Sequence, residues 1–564
     1  MRTQERSPGR WWQRHGAVLV VAIVLTVLNA LKPPTSDDPA YLRQAAWWAA
    51  HPLDPLGGEV LWYQTLVPTR VAASAPVGIA WLALGERVVG EANLALKLWL
   101  FPIAWLLAWA IDQLLRRAAP RLATPLLVLT VLSPTVLPGF DFLLDVPALA
   151  LATAALAVFS RAIENGAWRG LLAAGLLAGL ALQTKYTAAP VLVVLVLWGL
   201  LAGRWRAGAL AAGVALAVFV VIELSLAGGA GGSPLGAYLA SRSARDPQGH
   251  VPLLTAKRLM LIAGGVAPAL VPLALTALAV PRRIVHLALF AVMGGFVLLA
   301  FAPAPLAGFL DGVTGGRVVS LDNVAIQWMG PVLAILAALV VGRTGWSAAG
   351  RADVLPRVCI GWLGVEAALA PFVSASASAR RVLGAVLALT LVIARRVSDA
   401  VEREPERRRD VIAIAVCGVA LGIGFWLADR DAALADARAL AQVRERTAGA
   451  TVAYVGDHWG AFQDAARRAG WVMVTVERAP LARGDWLAVP FGVEMRDVTL
   501  EADRVVLVDS VPLPHRMPLT TKRSYFDGRQ ALRRPDSRWV GAYLYRVTAD
   551  GLVLRRSGRD GRAP

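Results

Sequence analysis

Two adjacent carboxylates, Asp37 and Asp38, lie in the stretch 36–41 (SDDPAY), shortly after the first long hydrophobic run at 16–31. A carboxylate at a membrane surface can act as a general base on an acceptor hydroxyl, and it can also bind a divalent cation through oxygen. The structural alternative is a helix N-cap, because Ser or Asp directly before Ala40 suits that position. Local sequence alone favours the cap.

A second acidic pair, Asp141 and Asp145, follows the third hydrophobic run. Asp145 precedes Val146 and Pro147, so it could also be an N-cap with proline in the first helical turn. If these acids and Asp37 lie at one depth on the same side of a membrane, a shared site becomes the better interpretation.

Cationic residues that could bind an anion occur in three groups: Lys185 followed by Tyr186, Arg242 with Arg245, and Arg380 with Arg381. Arginine presents two donors to phosphate in a fixed geometry, and lysine supplies a point charge. Each residue alone is more typical of a side chain that extends from a hydrophobic segment to the interface. Together with outward carboxylates, the groups fit a phosphate-bearing lipid.

The composition predicts a polytopic membrane protein. Of 564 residues, 57% are hydrophobic, compared with about 45–50% in soluble domains. Apolar runs of about 15–22 residues recur, and about 20 residues cross a bilayer as a helix. The net charge of +18 comes mainly from Arg. Many of these residues lie in short loops between the runs, so the positive-inside bias explains them and no nucleic-acid binding is expected.

Hydropathy and loop charge predict about 13 spans, with the N-terminus cytoplasmic and the C-terminus outside. The basic segment before the first run is not followed by a small-residue cleavage site, so it is predicted to be an uncleaved anchor. The predicted spans cover about 16–31, 94–115, 122–137, 146–160, a fifth ending near 183, 188–201, 209–226, 259–280, 285–301, 324–341, 358–373, 382–394 and 411–427.

This topology predicts that the first acidic pair, Asp145, Lys185 and 380–381 all lie on the outer side. The first outer loop is rich in aromatic residues and broken by Pro and Gly, which predicts interfacial helices on the membrane surface. All five lysines also fall outside, at 32, 97, 185, 257 and 522. A bound anion on the outer face would account for that departure from the positive-inside rule.

The last part of the chain has the composition of a soluble domain. We divide the chain into a membrane domain, 1–428, and an extracytoplasmic domain, 429–564. Short apolar segments at 451–455, 472–476, 486–489, 505–508 and 539–546 predict strands, and 461–469 predicts a helix. Strands alternating with a helix indicate a small α/β domain. The two cysteines, Cys359 and Cys417, lie in apolar runs and predict neither a disulfide nor a zinc site.

Three motifs in order resemble those of the GT-C fold glycosyltransferases, in particular the group of protein O-mannosyltransferases and bacterial lipid A aminoarabinose transferases. They are 36–41 followed by 51–55 (HPLDP), 132–134 (LSP) followed by 144–147 (LDVP), and 180–186 (LALQTKY). The resemblance covers about 16–205, and the later spans are similar only in topology. The chain departs from the family at 73–76 (ASAP), where a basic residue before Pro-Pro is common, and at Arg381-Val382, where the family has Arg-Tyr.

The resemblance implies an inverting transfer from a polyprenyl-phosphate–sugar donor to a lipid, glycan or protein acceptor on the outer face of a bacterial inner membrane. It implies that Asp37 is the general base and Asp145 a second catalytic or metal-linked carboxylate. Donor-phosphate contacts would come from Lys185, Tyr186, Arg380 and Arg381. Candidates for acceptor contacts or for support of the site are Asp38, Tyr41, Asp141, Arg242, Arg245 and His250. No nucleotide is needed for such a transfer, the sequence assigns no definite cofactor, and a divalent cation on Asp37, Asp38 and Asp145 stays open.

Two other functions compete with a glycosyltransferase. A transporter or flippase would need charges at mid-membrane and an internal repeat, whereas the charges here lie mostly at span ends and no repeat is visible. A non-catalytic component of envelope-glycan assembly would not need the acids and cations to meet. Convergence of the Asp37, Asp145 and Lys185 side chains therefore distinguishes an enzyme from a scaffold.

Overall fold

The computed structural model describes residues 8–35, 37–62, 64–70, 75–227, 233–245, 252–301, 321–346, 353–373, 378–450, 452–456, 460–476, 480–490, 498–513, 541–552 and 554–556. Up to Arg446 the described chain is helical apart from a short hairpin. Its helices are α1 Pro8–Ala30, α2 Asp38–Ala50, α3 Pro76–Val89, α4 Asn93–Trp99, α5 Phe101–Ala118, α6 Ala123–Leu132, α7 Asp145–Asn165, α8 Trp168–Thr184, α9 Pro190–Leu201, α10 Trp205–Ala227, α11 Pro234–Arg245, α12 Pro252–Val266, α13 Leu270–Ala277, α14 Arg282–Phe301, α15 Leu321–Trp346, α16 Val354–Val373, α17 Leu383–Arg403 and α18 Arg407–Arg446.

Several of these helices can cross a bilayer. In the described part of the chain, four pass by length and composition: Asn93–Ala118, Asp145–Asn165, Trp205–Ala227 and Arg407–Arg446. Shorter apolar helices add to them at His15–Ala30, Pro120–Leu132, Tyr186–Leu201 and Met329–Gly345. The multi-pass helical architecture is confirmed, while the predicted number of about 13 spans stays a prediction.

The predicted span at 259–280 is not one straight helix. It consists of α12 and α13, which meet at an angle of 88°. Pro268 lies at the break, and proline removes a backbone donor and disfavours the helical conformation of the residue before it. The apolar run in the sequence is continuous across this position, so hydropathy did not predict the break. The pair is either a broken span or a re-entrant loop.

Small residues allow the membrane helices to approach closely. α7 is buried along most of its length and packs against α5 and α8. On α8, a Cβ added at Gly175 would lie 2.6 Å from the Ala211 carbonyl oxygen, and one added at Gly179 would lie 2.8 Å from that of Ala215. These glycines let the α8 backbone rest on α10, in the manner of small-residue interfaces in membranes.

The first outer loop is not purely helical as predicted. Between α2 and α3 it contains an antiparallel hairpin of β1 (Glu59–Trp62) and β2 (Thr65–Pro68). Each strand has only four residues, too few for the alternation of side chains to be visible in the sequence. Helices are present in this loop as predicted, including α3 at Pro76–Val89.

The chain after α18 forms the predicted small α/β domain. Its elements are β3 Val452–Val455, α19 Ala461–Arg468, β4 Val472–Val474, β5 Trp486–Pro490, β6 Val498–Thr499, β7 Val505–Pro512, β8 Gly541–Val547 and β9 Arg555–Arg556. Five strands form a mixed sheet in the order β4-β3-β5-β8-β7, parallel from β4 to β5 and antiparallel from β5 to β7. Side chains of β3 alternate between two apolar clusters, one on each face of the sheet.

Helix α18 passes through the predicted domain boundary at 428–429 without interruption. It extends for 40 residues. Near its outer part, the Trp426 indole donates to the Leu28 carbonyl at 2.8 Å and Arg430 Nε donates to the Leu31 carbonyl at 3.0 Å. The Leu28 carbonyl is in the last turn of α1 and the Leu31 carbonyl directly follows it, where helix acceptors lack partners of their own. Further along, Ala439 and Val443 of α18 enter the apolar core of the α/β domain.

The first outer loop and the α/β domain are docked on each other. The Val476 amide donates to the Gln64 carbonyl at 2.9 Å, and Asn93 Nδ2 donates to Asp464 Oδ2 at 2.9 Å. Arg468 also bonds Asp464, at 2.9 Å. The loop that carries Asp37 is therefore held between the membrane helices and the outer domain.

Glu86 of α3 gives this outer layer a pH dependence. Burial, followed by the nearby Glu91, raises its pKa from 4.5 to about 7, against the opposing effect of Arg467. Because the folded state then binds this proton more tightly than the unfolded state, stability falls as pH rises from about 4.5 to about 7. We expect Glu86→Gln to remove part of that decline and to raise the Tm at pH 8 relative to wild type. Thermal melts at pH 5 and pH 8 measure this, with the exposed Glu445→Gln as control; parallel wild-type and Glu86→Gln curves would contradict it.

Candidate active site

Arg380 joins the two acids that the sequence placed on the outer side. It lies in a 3-10 turn, Ala379–Arg381, directly before α17. Its Nη1 atom is 2.8 Å from Asp37 Oδ2 and 4.0 Å from Asp145 Oδ2. Asp37 precedes α2 and Asp145 begins α7, so three segments far apart in the chain meet at one guanidinium.

Lys185 completes this cluster. It follows the last residue of α8, and its Nζ donates to Asp145 Oδ2 at 2.6 Å. Burial lowers the pKa of Lys185 to about 8, against the favourable charge of Asp145. For Arg380, burial lowers the pKa, but Asp37 and Asp145 outweigh it and the pKa is raised. The four side chains of this cluster are only 4–16% exposed, so the acids and the cations are largely shielded from solvent.

The Asp37 side chain does not cap α2. Asp37 does occupy the N-cap position of α2, but it makes no side-chain capping bond. Its carboxylate binds Arg380 instead. Asp145 is the first residue of α7 rather than its cap, which is Leu144. Neither side chain is thus committed to the helix end that it adjoins.

Arg381 contributes donors without acceptors. Its Nε and Nη1 atoms are buried and have no hydrogen-bond partner in the described part of the protein. Burial lowers its pKa, and the adjacent Arg380 adds to this effect. A buried guanidinium with open donors is costly unless an acceptor binds there. It therefore marks a place for an anionic ligand.

A pocket opens beside these cations. Its empty volume is about 550 Å³, its mouth included. The polar residues in its wall are Asp145, Thr187, Glu366, Arg380 and Arg381, and the rest is mostly apolar. A largely apolar pocket with a few polar groups is the usual form of a site for a small amphipathic ligand.

The second acid of the first pair belongs to a different cluster. Asp38 is completely buried, and its Oδ2 accepts the Thr35 amide at 2.6 Å. Burial, and next the charge of Asp141, raise its pKa well above the ordinary value. Asp141 in turn lies 3.1 Å from Lys32 Nζ and 2.8 Å from Lys97 Nζ, and all three side chains are 1% exposed.

This buried cluster fixes the segment that leads to Asp37. Lys32 donates to the Pro138 carbonyl at 2.9 Å, and Lys97 donates to the carbonyls of Asn29 and Lys32. The expectation that a bound anion explains the outer lysines is therefore wrong for Lys32 and Lys97, whose charge is met by Asp141. Asp141 is too deeply buried to contact an acceptor, so of its two predicted roles only support of the site fits.

The other predicted residues are distributed as follows. Tyr186 donates to Glu223 Oε1 at 2.9 Å, so its hydroxyl is engaged away from the cluster of Asp145 and Lys185. Tyr41 is buried in α2. Arg242 and Arg245 lie on α11, but their side chains are outside the described part. His250 lies outside the described residues, as does residue 36.

Similarity to known proteins was found at two levels. Residues 73–226 match the model of the family described as dolichyl-phosphate-mannose-protein mannosyltransferase. The match spans α3 to α10 and thus contains Asp145 and Lys185. The protein is a membrane glycosyltransferase. The resemblance to the GT-C group that the motifs indicated is confirmed, and no curated protein matches the sequence.

Solved structures of other glycosyltransferases show a loose similarity. The archaeal oligosaccharyltransferase AglB from Archaeoglobus fulgidus is 13% identical with a TM-score of 0.47, over 87% of this chain and 70% of that one. ArnT from Cupriavidus metallidurans, bound to undecaprenyl phosphate, is 17% identical with a TM-score of 0.36, over 86% and 94%. The arabinosyltransferase EmbB from Mycobacterium smegmatis is 14% identical with a TM-score of 0.36, over 92% and 47%. At TM-scores below 0.5, such similarities do not establish a shared mechanism.

Two acids of the glycosyltransferase are missing from the site prediction. Glu223 is 6% exposed and accepts hydrogen bonds from Gln183, Tyr186 and the Leu235 amide. Glu366 lies within α16 and lines the pocket. The available signal was the rarity of acids inside membrane segments, which by default indicates function.

The structure also tests the fit of a divalent cation. In the described part of the glycosyltransferase, no three His, Cys, Asp or Glu side chains converge in a way that could hold a metal. Asp38 lies in its own buried cluster, and Arg380 occupies the space between Asp37 and Asp145. The residues present therefore do not fit the metal site that had stayed open at 37, 38 and 145.

Proposed function

We propose that this glycosyltransferase moves a sugar from a polyprenyl-phosphate-linked donor to an acceptor hydroxyl at the outer face of a bacterial inner membrane, with inversion at the anomeric carbon. The family model that matches it is named for a dolichyl-phosphate–mannose donor, and the ArnT structure contains undecaprenyl phosphate. Both names point to the same donor class, a sugar carried on a polyisoprenoid phosphate.

One observation carries the proposal: Arg380 contacts Asp37 at 2.8 Å while Lys185 holds Asp145 at 2.6 Å, next to the open donors of Arg381. A scaffold would not need acids and cations to converge in this way. Cations neutralise a phosphate leaving group, and a carboxylate in reach of them can take a proton from the attacking group.

The reaction would proceed in one displacement. Asp37 takes the proton of the acceptor hydroxyl, and the acceptor oxygen forms a bond to the anomeric carbon. The bond between that carbon and the phosphate oxygen breaks on the opposite face, and the polyprenyl phosphate departs with both electrons. Arg380, Arg381 and Lys185 stabilise the charge that develops on the phosphate. No nucleotide takes part in the step.

Binding of the donor would also change the state of Asp37. Without a ligand, Arg380 neutralises this carboxylate through the bond at 2.8 Å. A phosphate near Arg380 and Arg381 competes for the same guanidinium, and Asp37 then gains freedom to accept a proton. Asp145, held by Lys185, keeps the cations in place. The α/β domain, on the outer side in this topology, would cover the acceptor.

Lipid that copurifies with the protein tests the donor class. We expect mass spectrometry of wild-type protein in mild detergent to detect a polyprenyl phosphate, with or without a sugar. Arg381→Gln removes a charged donor pair, so we expect it to retain less of that lipid by about tenfold or more. The exposed Arg87→Gln serves as the matched control and should retain it. Absence of any prenyl phosphate from wild type, or equal retention by Arg381→Gln, would contradict the proposal.

A further inference from the structure

The pocket beside Arg381 has a second polar wall that the proposed reaction does not use. Glu366 lies in the middle of α16, one helical turn after Trp362, and both residues line the pocket. Side chains four residues apart lie on the same face of a helix. The Trp362 indole donates to Glu366 Oε1 at 3.0 Å. The indole thereby fixes the direction of the carboxyl group.

Within the part of the chain that the structure describes, no ion pair includes Glu366. Its carboxyl group accepts a hydrogen bond from the Trp362 indole. The ion pairs of the site, by contrast, join Arg380 and Lys185 to Asp37 and Asp145. An acid inside a membrane segment without a countercharge is costly, and such acids usually serve a ligand.

The two polar walls of the pocket meet at the start of α17. A Cβ added at Gly384 would lie 2.1 Å from Glu366 Oε1, so the carboxyl group rests directly on the start of that helix. Gly384 is three positions after Arg381, in the first turn of α17, and both residues line the pocket together with Glu366. A group attached to a phosphate on Arg381 would therefore lie in the pocket that Glu366 borders.

We infer that Glu366 is a specificity-determining residue that hydrogen-bonds a hydroxyl of the donor sugar while the phosphate lies on Arg380 and Arg381. The inference rests on the proposed function, because it places a sugar in the same pocket as the phosphate. A polar group built into an apolar pocket rejects a ligand that leaves it unpaired. Bare polyprenyl phosphate lacks the hydroxyl, so Glu366 favours the loaded donor over the spent carrier.

The experiment compares two lipids on the same protein. The probes are undecaprenyl phosphate and a set of undecaprenyl phosphoryl hexoses and pentoses, each titrated by native mass spectrometry without acceptor. For Glu366→Leu we expect affinity for the sugar-bearing lipid that wild type prefers to fall at least fivefold, because the hydrogen bond to the sugar hydroxyl is lost. Affinity for undecaprenyl phosphate should stay within about twofold.

A second variant guards against a folding defect. Gly384→Ala places its Cβ where Glu366 Oε1 now lies, and the flexible carboxyl end must move while the side chain keeps its chemistry. It should show the same selective loss. Trp362→Phe, which removes the N–H but keeps a ring, should show a smaller one.

Each outcome decides the matter. If Glu366→Leu weakens both lipids equally, or neither, then Glu366 only joins α16 to α17 and the inference is overturned. If wild type binds none of the lipids, the donor class itself is wrong and the inference falls with it. A loss that appears only when an acceptor is added would assign the carboxyl to the acceptor and would also overturn the inference.

Discussion

Asp37→Asn should reduce sugar transfer by about 10²- to 10⁴-fold, the range lost when a general base is removed. Asparagine has the shape of aspartate but accepts no proton at neutral pH, so the acceptor hydroxyl is no longer activated. The contact with Arg380, now 2.8 Å long, can persist through the amide oxygen. We therefore expect donor binding to survive while turnover is lost.

The measurement is transfer of labelled sugar from the copurifying donor class in membranes that contain equal amounts of protein. Asp54→Asn is the matched control, because Asp54 lies in the same outer loop but its side chain is 59% exposed. Its ion pair with Arg70 is long, at 3.7 Å. It should keep activity within about twofold, as is usual for exposed ion pairs. More than a tenth of wild-type activity in Asp37→Asn would exclude Asp37 as the base.

Asp141→Asn should destabilise the protein by about 3–5 kcal/mol, the cost of leaving buried charges without their partner. Lys32 and Lys97 both depend on Asp141 and both are 1% exposed. Burial raises the pKa of Asp141, but the two ammonium groups outweigh it and the pKa is lowered. Its stabilisation is therefore present above the ordinary carboxyl pKa and is lost as pH falls through the lowered value.

Thermal unfolding of the purified protein measures this effect, again with Asp54→Asn as control. The Tm of Asp141→Asn should fall well below that of wild type at pH 7, and the difference should shrink in acid, where the wild-type carboxylate is protonated. An unchanged Tm at pH 7 would show that the Asp141 carboxylate does not stabilise the folded protein. The same variant should lose activity only in proportion to its loss of folded protein, unlike Asp37→Asn.

The predicted membrane topology was the main basis for predicting the site from the sequence. Counting spans placed Asp37, Asp145, Lys185 and Arg380 on one side of the membrane. It could not pair them, because Arg380 and Asp37 are 343 residues apart and nothing local to either residue encodes the contact. The pairing depends on how α2, α7 and α17 pack.

The errors also have physical causes. The apolar run around Pro268 gave no sign of an 88° bend, since hydropathy measures polarity and not direction. The predicted topology puts Lys32 and Lys97 on the outer side, where a bound anion was the expected partner. Their actual partner, Asp141, lies in a different loop. Glu366 was overlooked because a single acid within an apolar segment forms no pattern.

The uninterrupted α18 limits how the α/β domain can move. At about 1.5 Å per residue, its 40 residues measure roughly 60 Å, about twice the hydrocarbon thickness of a bilayer. The same helix contacts the end of α1 and supplies Ala439 and Val443 to the apolar core of the α/β domain. A flexible linker would let that domain swing aside, whereas a continuous helix holds it in place relative to α1. In the proposed reaction, an acceptor would therefore meet a domain of fixed position rather than a mobile lid.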